Sequence, residues 1–325
     1  MVRPNGLPRL RRVAGFLFLA ILFVVCWSSG FVGAKLGAQD ADVLTVLMWR
    51  FLPLAAVLIP ITWARRERVA VLRRDELPRQ IAIGALSQSG YLVTVYGAIS
   101  LGVSSGTTAL VDGVQPLVVA ACAGPLLGVA VTGRQWLGLA LGLIGVVAVT
   151  WADATAPGGS APVWAYTIPL AGMLCLVAAT FLERRARARV QPLHVLTVHC
   201  TTSAVVFTGL AVAGGAATVP GDARFWFSTA WLVLFPTFGG YGLYWLLLDR
   251  AGVTVVNSLM FLVPPVTTAW GAVMFGEPVT RLTVGGLALA LIATWLVVRN
   301  HDQNENQGRR EAAPDEARPM VATTD

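Results

Sequence analysis

The stretch GVAVTGRQWLGLALGLIG at residues 128–145 returns as GEPVTRLTVGGLALALIA at residues 276–293, an offset of 148 residues. Two further pairs of blocks precede it in the same order: VLTVLMWR at 43–50 with VLTVHCTT at 195–202, and GYLVTVYGAISLGV at 90–103 with GYGLYWLLLDRAGV at 240–253. Their offsets are 152 and 150, so the spacing changes by only four residues along the chain. Three blocks in one order at a nearly constant spacing indicate an internal repeat.

The composition is typical of a membrane protein. Of the 325 residues, 56% are hydrophobic and 13% are charged, and the mean hydropathy is +0.68. A soluble domain usually contains about 25% charged residues. The net charge of +7 could suggest a nucleic-acid partner, but the basic residues form short clusters between apolar runs, which is the pattern of membrane topology. We therefore expect membrane lipids as partners and no nucleic acid.

The apolar runs predict an all-α integral membrane protein with ten transmembrane helices. Each run approaches the roughly 20 residues that a helix needs to cross a bilayer. The predicted spans lie near residues 13–34, 43–63, 80–100, 104–127, 134–151, 163–182, 193–214, 229–248, 253–275 and 281–299. Residues 1–12 are predicted to be a cytoplasmic N-terminus, and the polar segment 300–325 a disordered cytoplasmic tail.

The repeat and the spans together predict two inverted halves. Residues 13–151 and residues 163–299 each contain five spans, and residues 152–162 form a polar linker between them. Because five is an odd number, the second half must enter the membrane upside down relative to the first. Many secondary transporters have this architecture, and their substrate site lies near the membrane midplane between the halves.

The basic residues predict the orientation. With the N-terminus inside, 20 of the 24 basic residues lie in cytoplasmic segments and only Lys35, Arg224 and Arg281 lie outside, while Arg50 falls within a span. Positive charge is enriched on the cytoplasmic side of membrane proteins. We therefore predict a multi-pass protein of the plasma (inner) membrane with both termini in the cytoplasm and an external linker.

The ten spans, the two repeats and three short motifs together resemble one known family. The motifs are CWSSGFVGAKLG at 26–37, WRF at 49–51 and FGEPVT at 275–280, and their order and spacing are similar to the EamA-like family of the drug/metabolite transporter superfamily. The resemblance covers about residues 13–299. It implies a plasma-membrane carrier, often an exporter of amino acids, other metabolites or drugs. Members commonly have Gly-Glu after the fourth span of each repeat; here the first repeat has Gly128 and Val129 instead.

Two charged residues lie inside predicted spans. Arg50 and Asp112 stand seven and eight residues into spans two and four, which places both roughly 10–12 Å below the outer boundary at about 1.5 Å per residue. They could form an ion pair, which lowers the cost of burying each charge. Alternatively, Arg50 binds a substrate carboxylate and Asp112 binds an amine or a coupling proton, or Asp112 lines a cavity without a role in transport. Their repeat counterparts are Thr202 and Phe261, so the repeat itself does not require the charges.

Aromatic and amide residues near the midplane are further candidates for substrate binding. Tyr91 and Tyr241 are equivalent positions of the two repeats, each near the middle of a span. Paired aromatic residues at this depth suit a cavity that stacks on or hydrogen-bonds a substrate. Gln88, Asn257 and Trp245 add polar or aromatic surface nearby in sequence. Each of these side chains could instead hydrogen-bond a neighbouring helix.

Other residues are candidates for coupling or gating, together with Asp112. Trp27 and Lys35 flank small residues in span one, where they could form an outer gate, although Lys35 could simply extend to the lipid headgroups. Pro116 and Pro265 occupy equivalent places in spans four and nine, and a proline kinks a helix, which could provide a hinge or only a static bend. The histidine at position 199 could relay protons, but no carboxylate is predicted at its depth.

Two stripes of small residues predict close helix packing, within the chain or in a homodimer. The first consists of Gly138, Gly142 and Gly145, and the second of Gly285, Gly286, Ala288 and Ala290. The four cysteines and three histidines show no metal-ligand spacing, so we expect no metal site and no cofactor.

The leading hypothesis is a secondary carrier that exports a small organic solute by alternating access. The chain has no nucleotide-binding motif, so the driving force would come from the solute gradient or from proton exchange through Asp112. One alternative is a carrier or flippase of the same architecture for a lipid-linked or nucleotide-sugar-type substrate. A second is an intramembrane enzyme, which would need a catalytic cluster beyond Arg50 and Asp112; we therefore do not expect an enzyme.

Overall fold

The structure, a computed structural model, describes residues 7–65, 76–127, 132–157, 161–184, 191–293 and 295. These residues form helices and no strands. The helices are α1 (Leu7–Asp40), α2 (Val43–Arg65), α3 (Leu77–Gly84), the π-helix π1 (Ala85–Gly90), α4 (Tyr91–Ser100), α5 (Ser105–Gly113), α6 (Gln115–Leu127), α7 (Gly133–Ala154), a 3-10 helix (Val163–Thr167), α8 (Ile168–Arg184), α9 (Pro192–Ala213), α10 (Ala223–Leu232), the π-helix π2 (Val233–Tyr241), α11 (Gly242–Ala251), α12 (Val253–Met260), α13 (Val263–Phe275) and α14 (Arg281–Ala293).

The all-α membrane fold is confirmed, while the count of ten full crossings is not. Among the described residues, eight helical stretches are long and apolar enough to cross a membrane. The third predicted span is the helical stretch 77–100, and the tenth includes the shorter helix α14. Most of the end of that tenth span, and the predicted tail 300–325, lie outside the described residues. At the other end, α1 begins at Leu7, so this helix extends into the segment predicted as residues 1–12.

Equivalent helices of the two repeats pack against each other in opposite directions. On α2 and α9, the Thr45 hydroxyl donates to the carbonyl oxygen of Ala216 just beyond α9 (2.6 Å), and near the other end of α2 the hydroxyls of Thr62 and Thr197 are 2.7 Å apart. Residue numbers therefore rise along α2 while they fall along α9. This antiparallel packing is what an inverted repeat requires.

The last helices of the two repeats, α7 and α14, meet in the same way. A Cβ atom built on Gly145 would lie 2.6 Å from the carbonyl oxygen of Gly286, and one built on Gly142 would lie 3.8 Å from the Ala293 Cβ. The two small-residue stripes thus contact each other within one chain. At Gly142, Gly145 and Gly286 they are not a dimer surface, because atoms of the same chain already occupy the space: backbone atoms at Gly145 and Gly286, and side chains at Gly142. The homodimer stays a prediction.

The helices that correspond to spans four and nine are both broken at equivalent places. The helix is interrupted at Val114, between α5 and α6, and at residues 261–262, between α12 and α13. Pro116 and Pro265 lie within the first three residues after each break, and proline lacks the backbone N–H that would continue the hydrogen-bond ladder. In both halves, therefore, the helix is interrupted next to the proline that was predicted to kink it.

Two π-helices also occupy equivalent places in the repeats, which the sequence analysis did not anticipate. The first, π1, ends one residue before Tyr91, and the second, π2, ends at Tyr241. A π-helix carries an extra residue per turn and so changes the direction of the side chains that follow it; such segments frequently occur at functional sites. Tyr91 and Tyr241 therefore lie where the chain changes from a π-helix to an α-helix.

Candidate substrate site

A cavity opens between the two repeats and is lined by side chains from both. The first repeat supplies residues from α1, α2, π1 and α4, and the second supplies residues from π2 only. The lining residues are Trp27, Gly30, Phe31, Arg50, Phe51, Ser87, Gln88, Tyr91, Leu92, Val95, Tyr96, Pro236, Thr237 and Tyr241. Five of the residues singled out in the sequence are among them: Arg50, Gln88, Tyr91, Tyr241 and Trp27.

The guanidinium group of Arg50 is buried in this cavity and has only neutral partners among the residues that the structure describes. Only 5% of the residue is exposed. Its Nη1 donates to the Tyr96 hydroxyl at 2.5 Å, its Nη2 donates to the Thr237 hydroxyl at 3.2 Å, and its Nε has no hydrogen-bond partner among the described residues. The rings of Phe51 and Tyr96 lie 5.3 and 5.9 Å from the guanidinium carbon. A buried cation without an anionic partner is costly, so this site is suited to an anionic group.

Asp112 contacts the cavity through a tyrosine. Its Oδ2 accepts a hydrogen bond from the hydroxyl of Tyr91, which lines the cavity, while its buried Oδ1 has no hydrogen-bond partner among the described residues. Within the part of the chain that the structure describes, no ion pair joins Asp112 to Arg50. The predicted pair is therefore absent, because each group has its own tyrosine partner: Tyr91 for Asp112 and Tyr96 for Arg50.

Trp27 closes one side of the cavity against the second repeat. Its ring lies 5.5 Å from that of Tyr241 in an edge contact, and 6.1 Å from that of Tyr244. The predicted substrate residue Tyr241 and the predicted gating residue Trp27 thus touch each other between α1 and π2. Their contact joins the two repeats at the cavity wall.

Several predicted residues lie away from the cavity. Trp245 is 40% exposed and Asn257 is also exposed, and neither lines the cavity. Pro116 and Pro265 lie at the helix breaks. Depth along a span can be counted from the sequence, but the face of the helix on which a residue lies depends on packing. Trp245 and Asn257 therefore do not line this cavity, and their role in substrate binding stays a prediction.

Two residues of the site were missed by the sequence analysis. Tyr96 and Thr237 hold the guanidinium of Arg50, and the Thr237 hydroxyl in turn donates to the carbonyl oxygen of Leu232 at 3.0 Å. Tyr96 lies five residues after Tyr91, which gives no helical face in common, and Thr237 lies within π2, where ordinary helical spacing fails. No pattern in the sequence could have connected them to Arg50.

A second polar cluster lies near the end of α1 and consists of Lys35, Glu277 and Ser105. The Lys35 Nζ is 2.5 Å from Glu277 Oε1, and Glu277 accepts hydrogen bonds from the Ser105 backbone N–H (2.9 Å) and hydroxyl (2.8 Å). The prediction that Lys35 extends to the headgroups is wrong, because its ammonium group pairs with a buried carboxylate instead.

His199 has a neutral partner. One ring nitrogen lies 3.0 Å from the Gln80 side-chain oxygen, so the histidine contacts an amide and not a carboxylate at this point. A proton relay through His199 stays a prediction.

Similarity to known proteins identifies the family to which this chain belongs. The model of the EamA-like transporter family matches residues 15–151 and again residues 163–299. The chain therefore belongs to the EamA-like transporter family. It is a multi-pass membrane transporter of small solutes, and the family indicates a transporter and not an enzyme.

Named relatives cover most of the chain. A probable amino-acid metabolite efflux pump of Salmonella typhimurium is 25% identical over 86% of this chain and 94% of that protein. A probable terminal-alkyne amino-acid exporter of Streptantibioticus cattleyicolor is 27% identical over 90% of this chain and 95% of that protein. A crystal structure superposes with a TM-score of 0.58 and 18% identity over 91% of this chain and 98% of its own, a likeness of fold alone.

Proposed function

We propose that this protein exports a small zwitterionic solute of the amino-acid type, by alternating access between its two inverted repeats. The observation that carries the proposal is the buried guanidinium of Arg50, which lies in the cavity between the repeats with only neutral partners. A substrate carboxylate would supply the missing negative charge and accept charge-assisted hydrogen bonds from the guanidinium. The two relatives named for amino-acid export support this substrate class.

The Asp112–Tyr91 pair provides a second polar group beside the cavity. The Oδ1 of Asp112, which has no partner among the described residues, can accept a hydrogen bond from the amine of the substrate or can bind a proton that is exchanged for the substrate. Asp112 contacts Tyr91 and Arg50 contacts Tyr96, and both tyrosines lie on α4. A proton at Asp112 and a solute at Arg50 would therefore both act on this helix. We therefore assign Asp112 to coupling and Arg50 to substrate binding.

The rest of the cavity wall favours an organic solute with an apolar portion. Phe31, Phe51, Leu92 and Val95 contribute aliphatic and aromatic surface, and ligand cavities of this kind combine an apolar lining with a few polar groups that fix orientation. An inorganic ion would gain little from this lining. We place the carrier in the inner membrane with both termini in the cytoplasm, from the distribution of the basic residues.

The test is an efflux assay in intact cells with a matched control. Wild type, Arg50→Gln, Asp112→Asn and the control Asn257→Gln are expressed at equal membrane levels. The cells are loaded with labelled amino acids and challenged with toxic amino-acid analogues, dipeptides and cationic drugs. The expected result is that wild type and Asn257→Gln export and protect against a carboxylate-containing class, while Arg50→Gln does not.

Three other outcomes are informative. Protection only against cationic drugs would contradict the assignment of Arg50 to a carboxylate. Equal activity of Asp112→Asn and wild type would remove Asp112 from coupling. Protection against nothing, with a lipid-linked substrate accumulating when the gene is deleted, would favour the flippase alternative of the same architecture.

A further inference from the structure

The cluster of Lys35, Glu277 and Ser105 joins three separate parts of the chain. Lys35 lies near the end of α1 and Ser105 begins α5, both in the first repeat, whereas Glu277 follows α13 in the second repeat. The carboxylate is the centre: it accepts two hydrogen bonds from Ser105 and pairs with Lys35. The distribution of the basic residues predicts that all three residues lie on the external side of the membrane.

One half of this cluster is built rigidly. A Cβ built on Gly271 would lie 2.1 Å from Glu277 Oε2 and 2.6 Å from the Ser105 hydroxyl, and one on Gly106 would lie 2.4 Å from the Thr268 hydroxyl. The helices α5 and α13 therefore approach so closely that only glycine fits at these points. Glu277 also lies at the N-terminus of α5, where a negative charge is favoured by the helix dipole.

The other half of the cluster is a single flexible side chain. Lys35 reaches Glu277 from α1, with its ammonium group 5.0 Å from the centroid of the Phe275 ring. The side chain of Lys35 is 23% exposed, against 6% for Glu277, so water can reach the lysine more easily than the carboxylate. Breaking the contact would leave Glu277 bound to Ser105 and release only α1.

The segment of α1 that would be released also forms the cavity wall. Phe31 lies four residues before Lys35 and therefore on the same face of the helix. Trp27 lies four residues before Phe31, about one more turn away from Lys35. Both Phe31 and Trp27 line the cavity. A displacement of this end of α1 would change the shape of the cavity and its access from the external side.

The sequence contains no equivalent pair for the opposite side. The position equivalent to Glu277 in the first repeat is Val129, at the offset of 148 residues. Valine cannot pair with a cation, so the ionic contact belongs to one side of the carrier only. We infer that Lys35, Glu277 and Ser105 form an external latch, which holds α1 against the α5–α13 pair and keeps the external side of the cavity closed until Lys35 leaves Glu277. This inference rests on the proposed alternating access.

The latch is tested by the accessibility of the cavity, which needs no substrate. The four native cysteines are replaced, Ser87 in the cavity wall is changed to cysteine, and the full-length protein is labelled in intact cells with a membrane-impermeant thiol reagent. Lys35→Met and Glu277→Gln should each raise the labelling rate by about fivefold or more, the lower end of typical coupling between two states. Lys35→Arg should keep the low rate, because it retains the charge.

The matched control breaks another ion pair of the chain. Arg79 Nη1 and Glu76 Oε2 are 2.6 Å apart, on the side predicted to be cytoplasmic, and Arg79→Met should leave external labelling unchanged. Glu277→Gln keeps an oxygen for Ser105, so it tests the latch without removing the α5–α13 contact.

Three results would overturn the latch: unchanged labelling in both Lys35→Met and Glu277→Gln, an equal rise in Arg79→Met, or a rise in Lys35→Arg as large as in Lys35→Met. Efflux is measured on the same cells. Unchanged labelling with normal wild-type efflux removes the latch and leaves the carrier, whereas altered labelling without any wild-type efflux of carboxylate-containing solutes removes the proposed substrate and leaves the latch.

Discussion

At the scale of single residues, the main feature of the candidate site is that Arg50 has no anionic partner among the described residues. Its two hydrogen bonds, to Tyr96 and Thr237, are with neutral hydroxyls that come from different repeats. These hydroxyls orient the guanidinium but do not neutralise it. The positioning of the charge therefore depends on both halves of the protein.

Removing either hydroxyl should weaken transport. In Tyr96→Phe and Thr237→Val the Arg50 guanidinium loses a hydrogen bond, and a bond to a charged group contributes about 1.5–3 kcal/mol. We expect the apparent KM for the exported solute to rise in vesicle transport assays while the protein stays folded. Tyr166→Phe, which removes a hydroxyl from a span residue outside the cavity lining, is the control and should behave like wild type. An unchanged KM in both test variants would show that Arg50 is held by other means.

At the scale of helices, α5–α6 and α12–α13 are interrupted just before equivalent prolines, whereas α2 contains Pro53 and Pro60 without a break. A proline alone is thus not enough to interrupt a span. The interruption at Val114 lies two residues after Asp112, so movement at this break would change the position of the carboxylate relative to Tyr91.

Pro116→Ala tests whether the break is a hinge. Alanine restores the missing backbone N–H and favours a continuous helix, so we expect slower transport with stability equal to or above that of wild type. The measurement combines efflux rate with thermal unfolding of the purified protein. Pro53→Ala is the matched control in an unbroken helix. Equal efflux in Pro116→Ala and wild type would mean that the bend is static.

The contact between α7 and α14 gives a second prediction for the helices. Gly145→Val would push a side chain against the Gly286 carbonyl oxygen, where even a Cβ would lie at 2.6 Å. Overpacking of this kind costs about 1–3 kcal/mol, so the unfolding temperature should fall. Gly285→Val on α14 is the control, because nothing lies within 4 Å of a Cβ there. Similar unfolding temperatures for the two variants would contradict the close contact.

At the scale of the whole molecule, the sequence predicted the features that the lipid bilayer enforces. Apolar length and repeated blocks were enough to predict an all-α inverted repeat, because backbone groups in lipid must be satisfied within helices. The depth of a residue within a span could also be counted from the sequence, and it singled out Arg50, Tyr91 and Tyr241, which line the cavity.

The sequence could not predict which face of a helix each residue occupies. Arg50 and Asp112 stand at similar depth and still do not pair, and Trp245 and Asn257 face away from the cavity. The two π-helices explain part of the difficulty, since each shifts the helical phase within a span without changing its hydropathy. Glu277 was noticed as a motif residue, but its partner Lys35 is 242 positions away, and no local pattern connects them.

The orientation of the whole molecule is open to a direct test. We expect alkaline phosphatase fused after Pro157 to be active, because the linker is predicted to be external. Alkaline phosphatase fused after Asn300 should be inactive, while green fluorescent protein fused there should fluoresce. Alkaline phosphatase fused after Arg189, in a predicted cytoplasmic loop, should also be inactive and serves as a further control. The reverse pattern of activities would place the latch residues on the cytoplasmic side.

The backbone contact between Gly145 and Gly286 limits how the two halves can diverge. Elsewhere the two halves differ in sequence: Arg50 corresponds to Thr202, and Glu277 corresponds to Val129. At this contact, a side chain at either Gly145 or Gly286 would clash with the backbone of the other half. A second substitution that changes only a side chain cannot relieve a clash with the backbone. We therefore expect natural selection to retain Gly145 and Gly286 together in relatives of this protein, although the position equivalent to Gly145 in the second half is Ala293.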